Sequence, residues 1–339
     1  MKMDKKRKVS VLGGGSWGST ITQHLSSLGH EVYLYHRNGD QLNEMREKLR
    51  HPLLEQLRFS ETIKFIEDLN YLPKSEFMVI AVPSHGVREL MLRVPKNLLG
   101  TKIINLSKGI EQNTFKRISE IILETSDITS GNIVTLSGPS HAEEVALGHP
   151  TSLVAASNNL ETSKEVQKLF SSNSLRIYTN NDIIGVELGG SIKNIIALAS
   201  GICDGIGFGD NTKASLITRG IVEISRLGVS LGGKAETFAG LSGIGDLIAT
   251  CLSHHSRNRY VGEQIGVGRP LEEILNEMSM IAEGVKTTSA TKELSVLKNI
   301  EMPIVSSVYS VLYENINPKE AVNSLMNREL IKEVDMVYY

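Results

Sequence analysis

Three glycines at 13, 15 and 18, lysines at 108 and 193, an aspartate at 246 and the run Ser256-Arg257-Asn258-Arg259 are the residues whose types and spacing could do chemistry. Gly13-x-Gly15-x-x-Gly18 follows the apolar run Val9–Leu12 and opens a stretch with helical spacing, Trp17–Leu28. In that setting each glycine has a mechanical role. Gly13 allows a tight turn, Gly15 lets the backbone approach a pyrophosphate, and Gly18 lets the helix pack closely on the strand. The helix N-terminus then offers N–H groups and a partial positive charge to phosphates. The pattern predicts a dinucleotide site, against the plainer reading of a glycine-rich turn in another βα unit.

The choice of dinucleotide is read roughly 20 residues further on, where a carboxylate would bond the ribose 2′-hydroxyl of NAD. This chain has Tyr35-His36-Arg37-Asn38 there. Arg37 can pair with a 2′-phosphate and stack on adenine, so NADPH is expected to bind, with NADH also accepted. Arg37 as a plain surface residue is the alternative.

Dinucleotide binding alone does not define a reaction. Lys193 lies on an otherwise apolar helical stretch that continues Ile195-Ile196-Ala197-Leu198-Ala199. It is either a snorkelling surface lysine or one buried in a cleft, where desolvation would lower its pKa toward neutrality and suit it to proton transfer. Gly189 and Gly190, one turn earlier, would let another backbone or a cofactor come close. Asp246 is either an N-cap or a site carboxylate. Ser256, Arg257 and Asn258 offer a hydroxyl, a guanidinium and an amide in succession, a set that suits a phosphate or carboxylate, or else an exposed polar helix start. Lys108, and Gly138 with Ser140, follow apolar strand-like runs, at the strand ends where open α/β sheets bind ligands.

These groups need a scaffold. Short β-rich runs at Lys8–Leu12, Val32–Tyr35, Phe77–Val82, Lys102–Leu106, Ile133–Leu136, Ser152–Ala156 and Leu175–Tyr178 alternate with helical patterns, which predicts a parallel, right-handed βαβ sheet. From Asp182 onward the spacing is helical, with no convincing strand. The expected fold class is α/β, a Rossmann-type parallel-sheet domain over 1–185 followed by an all-helical domain over 186–339. No segment approaches the roughly 20 apolar residues of a membrane helix, the longest candidate being Asn194–Ile202. The basic lead-in 1–8 joins too short an apolar run for a signal peptide.

Lys and Arg total 36 against 38 Asp and Glu, a net charge of −2, so no field draws the chain to nucleic acid or an anionic membrane. Cys203 and Cys251 cannot build a disulfide framework and lie in no metal-ligand cluster, which fits a reducing, cytoplasmic compartment. No metal is expected, since nine histidines include no HExxH and His254-His255 would project apart. A serine hydrolase is disfavoured because Ser16 lies in no GxSxG elbow.

Over nearly its whole length the chain resembles the bacterial-type NAD(P)-dependent glycerol-3-phosphate dehydrogenases. The matching blocks are GGGSWGST (13–20), LSKGIE (106–111), LSGPSHAEEVALGHPTS (136–152), ELGGSIKNIIALASGICDGIGFGDN (187–211), TFAGLSGIGDLIATC (237–251), SRNRYVG (256–262) and AEGVKT (282–287). The resemblance implies reversible reduction of dihydroxyacetone phosphate by NAD(P)H to sn-glycerol 3-phosphate, a precursor for phospholipid synthesis. It implies Lys193 as general acid/base, hydride reaching C2, and Lys108, Gly138, Ser140, Asp246, Ser256, Arg257 and Asn258 around the substrate. Gly13, Gly15, Ser16, Trp17, Gly18, His36, Arg37, Lys108, Ala142, Arg257, Ile281 and Glu283 would contact the dinucleotide. Size and family together imply a homodimer. A related β-hydroxyacid dehydrogenase and a nucleotide-sensing protein without turnover are the competing readings. The AEG and SRNR blocks disfavour the first, and the set Lys193, Lys108, Asp246 and Arg257 disfavours the second.

Overall fold

The computed structural model describes residues 5–96, 102–278, 280–330 and 332–333, so residues 1–4 of the basic lead-in lie outside the described residues. The chain forms two compact units, one of residues 1–107 and 118–183, the other of 108–117 and 184–339. Residues 108–117, within the stretch expected to belong to the first domain, thus leave the first unit and join the second.

The first unit is built on an eight-stranded sheet. Its strands are β1 (Lys8–Leu12), β2 (Glu31–Tyr35), β5 (Lys64–Ile66), β6 (Phe77–Ile80), β7 (Lys102–Asn105), β8 (Ile133–Ser137), β9 (Thr151–Ala156) and β10 (Leu175–Asn180), in the spatial order β10-β9-β8-β7-β6-β1-β2-β5. The central strands β1, β6 and β8 are almost wholly buried, which explains their continuous apolar runs: both faces are covered. Helices α1 (Ser16–Ser27), α2 (Gly39–Lys48), α3 (Val87–Arg93), α4 (Ile118–Thr125), α5 (Ala142–Ala146) and α6 (Leu160–Phe170) connect the strands.

Neighbouring strands are parallel except for β8 and β9, where Ser137 lies opposite Val154 in antiparallel register. The reason is the connection. Residues 138–150, which link them, hold only the five-residue α5 and stand near the lower limit of about a dozen residues for a parallel crossover. A small antiparallel ribbon of β3 (Arg50–His51) and β4 (Leu54–Arg58), absent from the sequence reading along with β5, completes the unit.

The second unit is helical among the described residues. It contains α7 (Ile183–Ile206), α8 (Asp210–Ser230), α9 (Ala235–Phe238), α10 (Asp246–Leu252), α11 (Arg257–Gly266), α12 (Leu271–Glu277), α13 (Glu283–Leu297), α14 (Pro303–Tyr313) and α15 (Pro318–Met326). Its core gathers around α7, whose Leu188, Ile192, Ile195, Ile196 and Leu198 are all buried. Contrary to the sequence expectation, α7 is long and apolar enough to cross a membrane by length and composition, with a mean hydropathy of 1.3 over its most apolar window. Glu187 and Lys193, which interrupt the run on paper, do not interrupt the helix. That window is 94% buried inside the protein, so its apolar surface is already covered.

Polar side chains on so buried a helix need partners, and those of α7 have them. Ser191 donates to the Glu187 carbonyl, Ser200 to the Cys251 carbonyl, Glu187 accepts from Arg117, and Asn194 accepts from Asn258. Helix α11 lies against α7 because both expose glycine there: a Cβ on Gly201 would stand 2.7 Å from the Glu263 nitrogen. Both cysteines are free and buried.

Candidate active site

In the first unit the glycine turn joins β1 to α1. Gly13 has φ +125°, a conformation L side chains rarely adopt, and its N–H donates to the Tyr35 carbonyl at 3.0 Å. A Cβ on Gly18 would overlap the Gly13 carbonyl oxygen, so the close helix–strand approach requires glycine there. Gly15 is exposed, and nothing lies within 4 Å of an added Cβ. Gly15 is also the N-cap of α1 and has no side chain to bond the first-turn N–H groups. A phosphate-bearing dinucleotide fits this open, uncapped helix start. Ser16 and Trp17 are half-buried beside it.

His36 and Arg37 follow the end of β2. Arg37 is exposed, and the His36 ring bonds Gln41 at 2.9 Å. Gly138 has φ +136° just after β8, Ser140 donates to the Gly138 carbonyl at 2.9 Å, and Ala142 opens α5. His51 was not singled out in the sequence. The Leu53 N–H donates to its Nδ1 at 3.1 Å, which leaves Nε2–H to donate to the Gly14 carbonyl at 3.2 Å. His51 thereby braces the glycine turn from the β3–β4 ribbon, and no spacing pattern announces it.

In the second unit one carboxylate collects two lysines. Asp246, the first residue of α10, accepts from Lys193 at Oδ1 (2.6 Å) and from Lys108 at Oδ2 (2.7 Å). Its position at a helix start follows from the π-helical turn over Leu241–Gly245 that leads into α10, and its side chain serves the lysines rather than the helix end. Gly189 is what lets that turn approach α7, since a Cβ there would stand 2.7 Å from the Ser242 carbonyl oxygen. Lys193 also donates to the Thr250 hydroxyl at 2.5 Å. Thr250 lies four residues after Asp246 on the same helix face. That i, i+4 spacing is the signal that could have found it.

An ammonium has three donors, and the third N–H of Lys193 has no partner among the described residues. Burial drives the Lys193 pKa down, Asp246 pushes it back up, and Lys108 lowers it again, leaving it at about 8. Burial alone would raise the Asp246 carboxyl, but the two ammonium groups outweigh it and hold it below the usual carboxylate range.

The three residues expected at an anion sit at the start of α11. Ser256 is its N-cap, accepting from the Arg259 N–H at 3.2 Å and keeping its hydroxyl proton to donate. Asn258 is buried. Its Oδ1 accepts from the Gly284 N–H at 2.8 Å and its amide donates to Asn194 Oδ1 at 3.0 Å, so one N–H remains for a ligand. Arg257 is exposed, and Arg259 pairs with Asp204 at 2.7 Å. Glu283 begins α13 next to Gly284, and Ile281 is partly exposed just before it. The Asn194–Asn258–Gly284 chain therefore joins this group to the helix bearing Lys193. Among the described residues no group of His, Cys, Asp or Glu could hold a metal ion.

Residues 8–163 match the description "NAD-dependent glycerol-3-phosphate dehydrogenase N-terminus", and residues 182–323 match the C-terminal counterpart. The chain belongs to the NAD-dependent glycerol-3-phosphate dehydrogenase family. A family member of the NAD(P)+ type from Chlorobium phaeobacteroides is 49% identical over 332 residues, covering 96% of this chain and 99% of its own length. One from a Thermoanaerobacter species is 50% identical over 327 residues, covering 95% and 97%. The crystal structure of glycerol-3-phosphate dehydrogenase from Coxiella burnetii superimposes with a TM-score of 0.91 at 36% identity, covering 95% of this chain and 99% of that one. Within this family frame, the first unit carries the glycine turn and the second carries the lysine pair.

Proposed function

We propose that this chain catalyses the reversible, NAD(P)H-dependent reduction of dihydroxyacetone phosphate to sn-glycerol 3-phosphate, with Lys193 as general acid and base. The observation that carries this reading is Lys193 itself: buried, held by Asp246 and Thr250, with a pKa near 8 and one N–H left over. A base poised near the working pH can both give and take a proton. When bound, the dinucleotide supplies the hydride that reaches C2. Gly13, Gly15, Ser16, Trp17, Gly18, His36, Arg37 and Ala142 would hold it in the first unit, and Lys108, Arg257, Ile281 and Glu283 are the contacts expected from the second.

In the reducing direction Lys193 delivers its proton to the C2 oxygen, and Asp246 holds the ammonium in line. Lys108 adds positive charge where the oxygen becomes negative. In the oxidising direction neutral Lys193 takes the hydroxyl proton. Ser256, Arg257 and Asn258 grip the phosphate, and Gly138 and Ser140 offer further polar contacts to the substrate. The product is the glycerol phosphate unit from which phospholipids are made.

Oxidation of NADPH and NADH, followed at 340 nm with dihydroxyacetone phosphate and with dihydroxyacetone, tests the reaction. Turnover that requires the phosphate supports the reading, and equal turnover of both ketones removes the anion clamp. Lys193→Met should abolish turnover and leave NADPH binding intact. We further infer a homodimer from chain size and family, and a cytoplasmic location from the two free, buried thiols. Sedimentation and cell fractionation test these.

A further inference from the structure

We infer that Arg117 and Glu187 are positioning residues that hold Lys108 on Asp246. The inference rests on the roles proposed for Lys193 and Lys108. Lys108 opens the ten-residue excursion 108–117 that belongs to the second unit. A lysine side chain is flexible, with considerable rotamer freedom, and its backbone here belongs to no regular helix or strand. Something must fix the excursion for its ammonium to stand 2.7 Å from a buried carboxylate.

Three features fix it. Ile110 is buried in the helical core. The excursion closes on itself through a bridge pairing Ile110 with Arg117, through the Glu111 N–H donating to the Lys116 carbonyl at 3.0 Å, and through the Phe115 N–H donating to the Glu111 carbonyl at 3.0 Å. Asn113 and Phe115 take positive φ to make that turn. Finally, the Arg117 guanidinium pairs with Glu187 at 2.7 Å, and Glu187 is almost fully buried on α7.

Glu187 lies six residues before Lys193 on the same helix, about 9 Å along its axis. Helix α7 therefore carries Lys193 directly and fixes Lys108 at one remove, through Glu187, Arg117 and the bridge to Ile110. Asp246 receives both lysines at the geometry this anchoring sets. In the role inferred here the charge pair positions a side chain and moves no proton. Its effect passes through Lys108.

The effect has its own signature. The groups that act on the Lys193 charge are Asp246 and Cys251 from α10 and Lys108 from the excursion. Withdrawing Lys108 removes a neighbouring like charge, so Lys193 holds its proton to higher pH. In the reducing direction the alkaline fall in kcat then moves up. Removing the negative charge of Glu187 directly would move it down, so an upward shift in Glu187→Gln can only come through Lys108.

The experiment compares kcat against pH for the parent protein, Lys108→Met, Glu187→Gln, Arg117→Met and Arg117→Lys, with hydrogen exchange by mass spectrometry on each. We expect the alkaline limb to move up in Lys108→Met, Glu187→Gln and Arg117→Met. In the last two kcat should fall roughly 10- to 100-fold with little change in KM, as for a misplaced catalytic group. Exchange should quicken within 108–117, and Arg117→Lys should recover most of the rate. A limb that moves in Lys108→Met but stays in both pair variants overturns the inference alone. A limb that stays in Lys108→Met overturns the underlying reading of the lysine pair, and the inference with it. If Glu187→Gln does not fold, Arg117→Met decides by exchange: unchanged protection in 108–117 overturns the inference.

Discussion

Lys193 and Lys108 share one carboxylate: the two oxygens of Asp246 each accept from a different lysine, at 2.6 and 2.7 Å. The arrangement sets a sum of opposing effects on Lys193. Burial and Lys108 favour its neutral form, and Asp246 favours the charged one.

Asp246→Asn tests this balance directly. Without the carboxylate, the two ammonium groups face each other unneutralised and the Lys193 pKa should fall below its value of about 8. In the role proposed for Lys193, reduction of the ketone needs the charged lysine, so its alkaline limb should move to lower pH. Oxidation needs the neutral lysine, so its rising limb should move down as well. The rate at neutral pH in the reducing direction should drop about 10²- to 10⁴-fold, the usual contribution of a positioned acid. Steady-state rates in both directions between pH 6 and 10 check the sign; limbs moving upward would contradict it.

Arg257→Ala should raise KM for dihydroxyacetone phosphate, with a smaller effect on kcat. A guanidinium holding a phosphate that takes no part in bond changes binds ground and transition states alike. Loss of a charge-assisted hydrogen bond is worth about 1.5–3 kcal/mol, or roughly 10- to 150-fold in KM. With NADPH saturating, so that any loss of the Arg257 contact to the dinucleotide does not register, dihydroxyacetone, lacking the phosphate, should be turned over equally by parent and variant. An unchanged KM would assign the phosphate to other residues.

Most of this arrangement was legible because its residues are chemically marked. Gly13 and Gly18 are glycines where a side chain would collide or strain the backbone, and Lys193 is a charge inside an apolar helix. The all-helical reading of the second domain also holds at Pro303–Tyr313, PIVSSVYSVLY, which forms helix α14 although it is rich in β-branched residues. Pro303 starts it, Glu223 satisfies its first N–H groups from outside, and Ile304, Val305, Val308 and Leu312 bury one face. What escaped was set by tertiary context: the excursion 108–117 carries no local mark of belonging to the second unit, because a buried Ile110 and a long-range ion pair decide it. Thr250 and His51 are ordinary residue types that matter only through what lies across from them.

Arg37→Glu should discriminate the two dinucleotides. Arg37 is exposed after β2, where no carboxylate stands to bond a 2′-hydroxyl. Reversing its charge places a carboxylate where the 2′-phosphate of NADPH would lie, and offers NADH the acceptor it prefers. NADPH affinity should fall by about 10-fold or more, and NADH affinity should hold or improve. Fluorescence titration of both measures it, and equal losses would separate Arg37 from the 2′-phosphate.

Glu223 supplies the last prediction, and here the readout is stability. Its buried carboxylate accepts from the Ile304 and Val305 N–H groups at 2.8 and 3.3 Å, at the start of α14. Burial pushes its pKa up, the two backbone bonds pull it back, and it settles at about 7 against an ordinary value near 4.5. A pKa raised on folding means that the folded chain binds the proton more tightly than the unfolded one. The resulting stability is complete below about pH 4.5 and is lost as pH rises through 7. His24 and His51, whose pKa values burial lowers, act with the opposite sign over part of that window. The comparison must therefore be between parent and Glu223→Gln, which keeps the shape and one acceptor without the charge. The urea midpoint of the glutamine variant should gain on the parent steadily from pH 5 to pH 7.5. Glu223→Ala, which leaves both N–H groups unpaired, should lose about 1–3 kcal/mol across the whole range. A constant offset between parent and glutamine variant would mean that Glu223 titrates alike in the folded and unfolded chain.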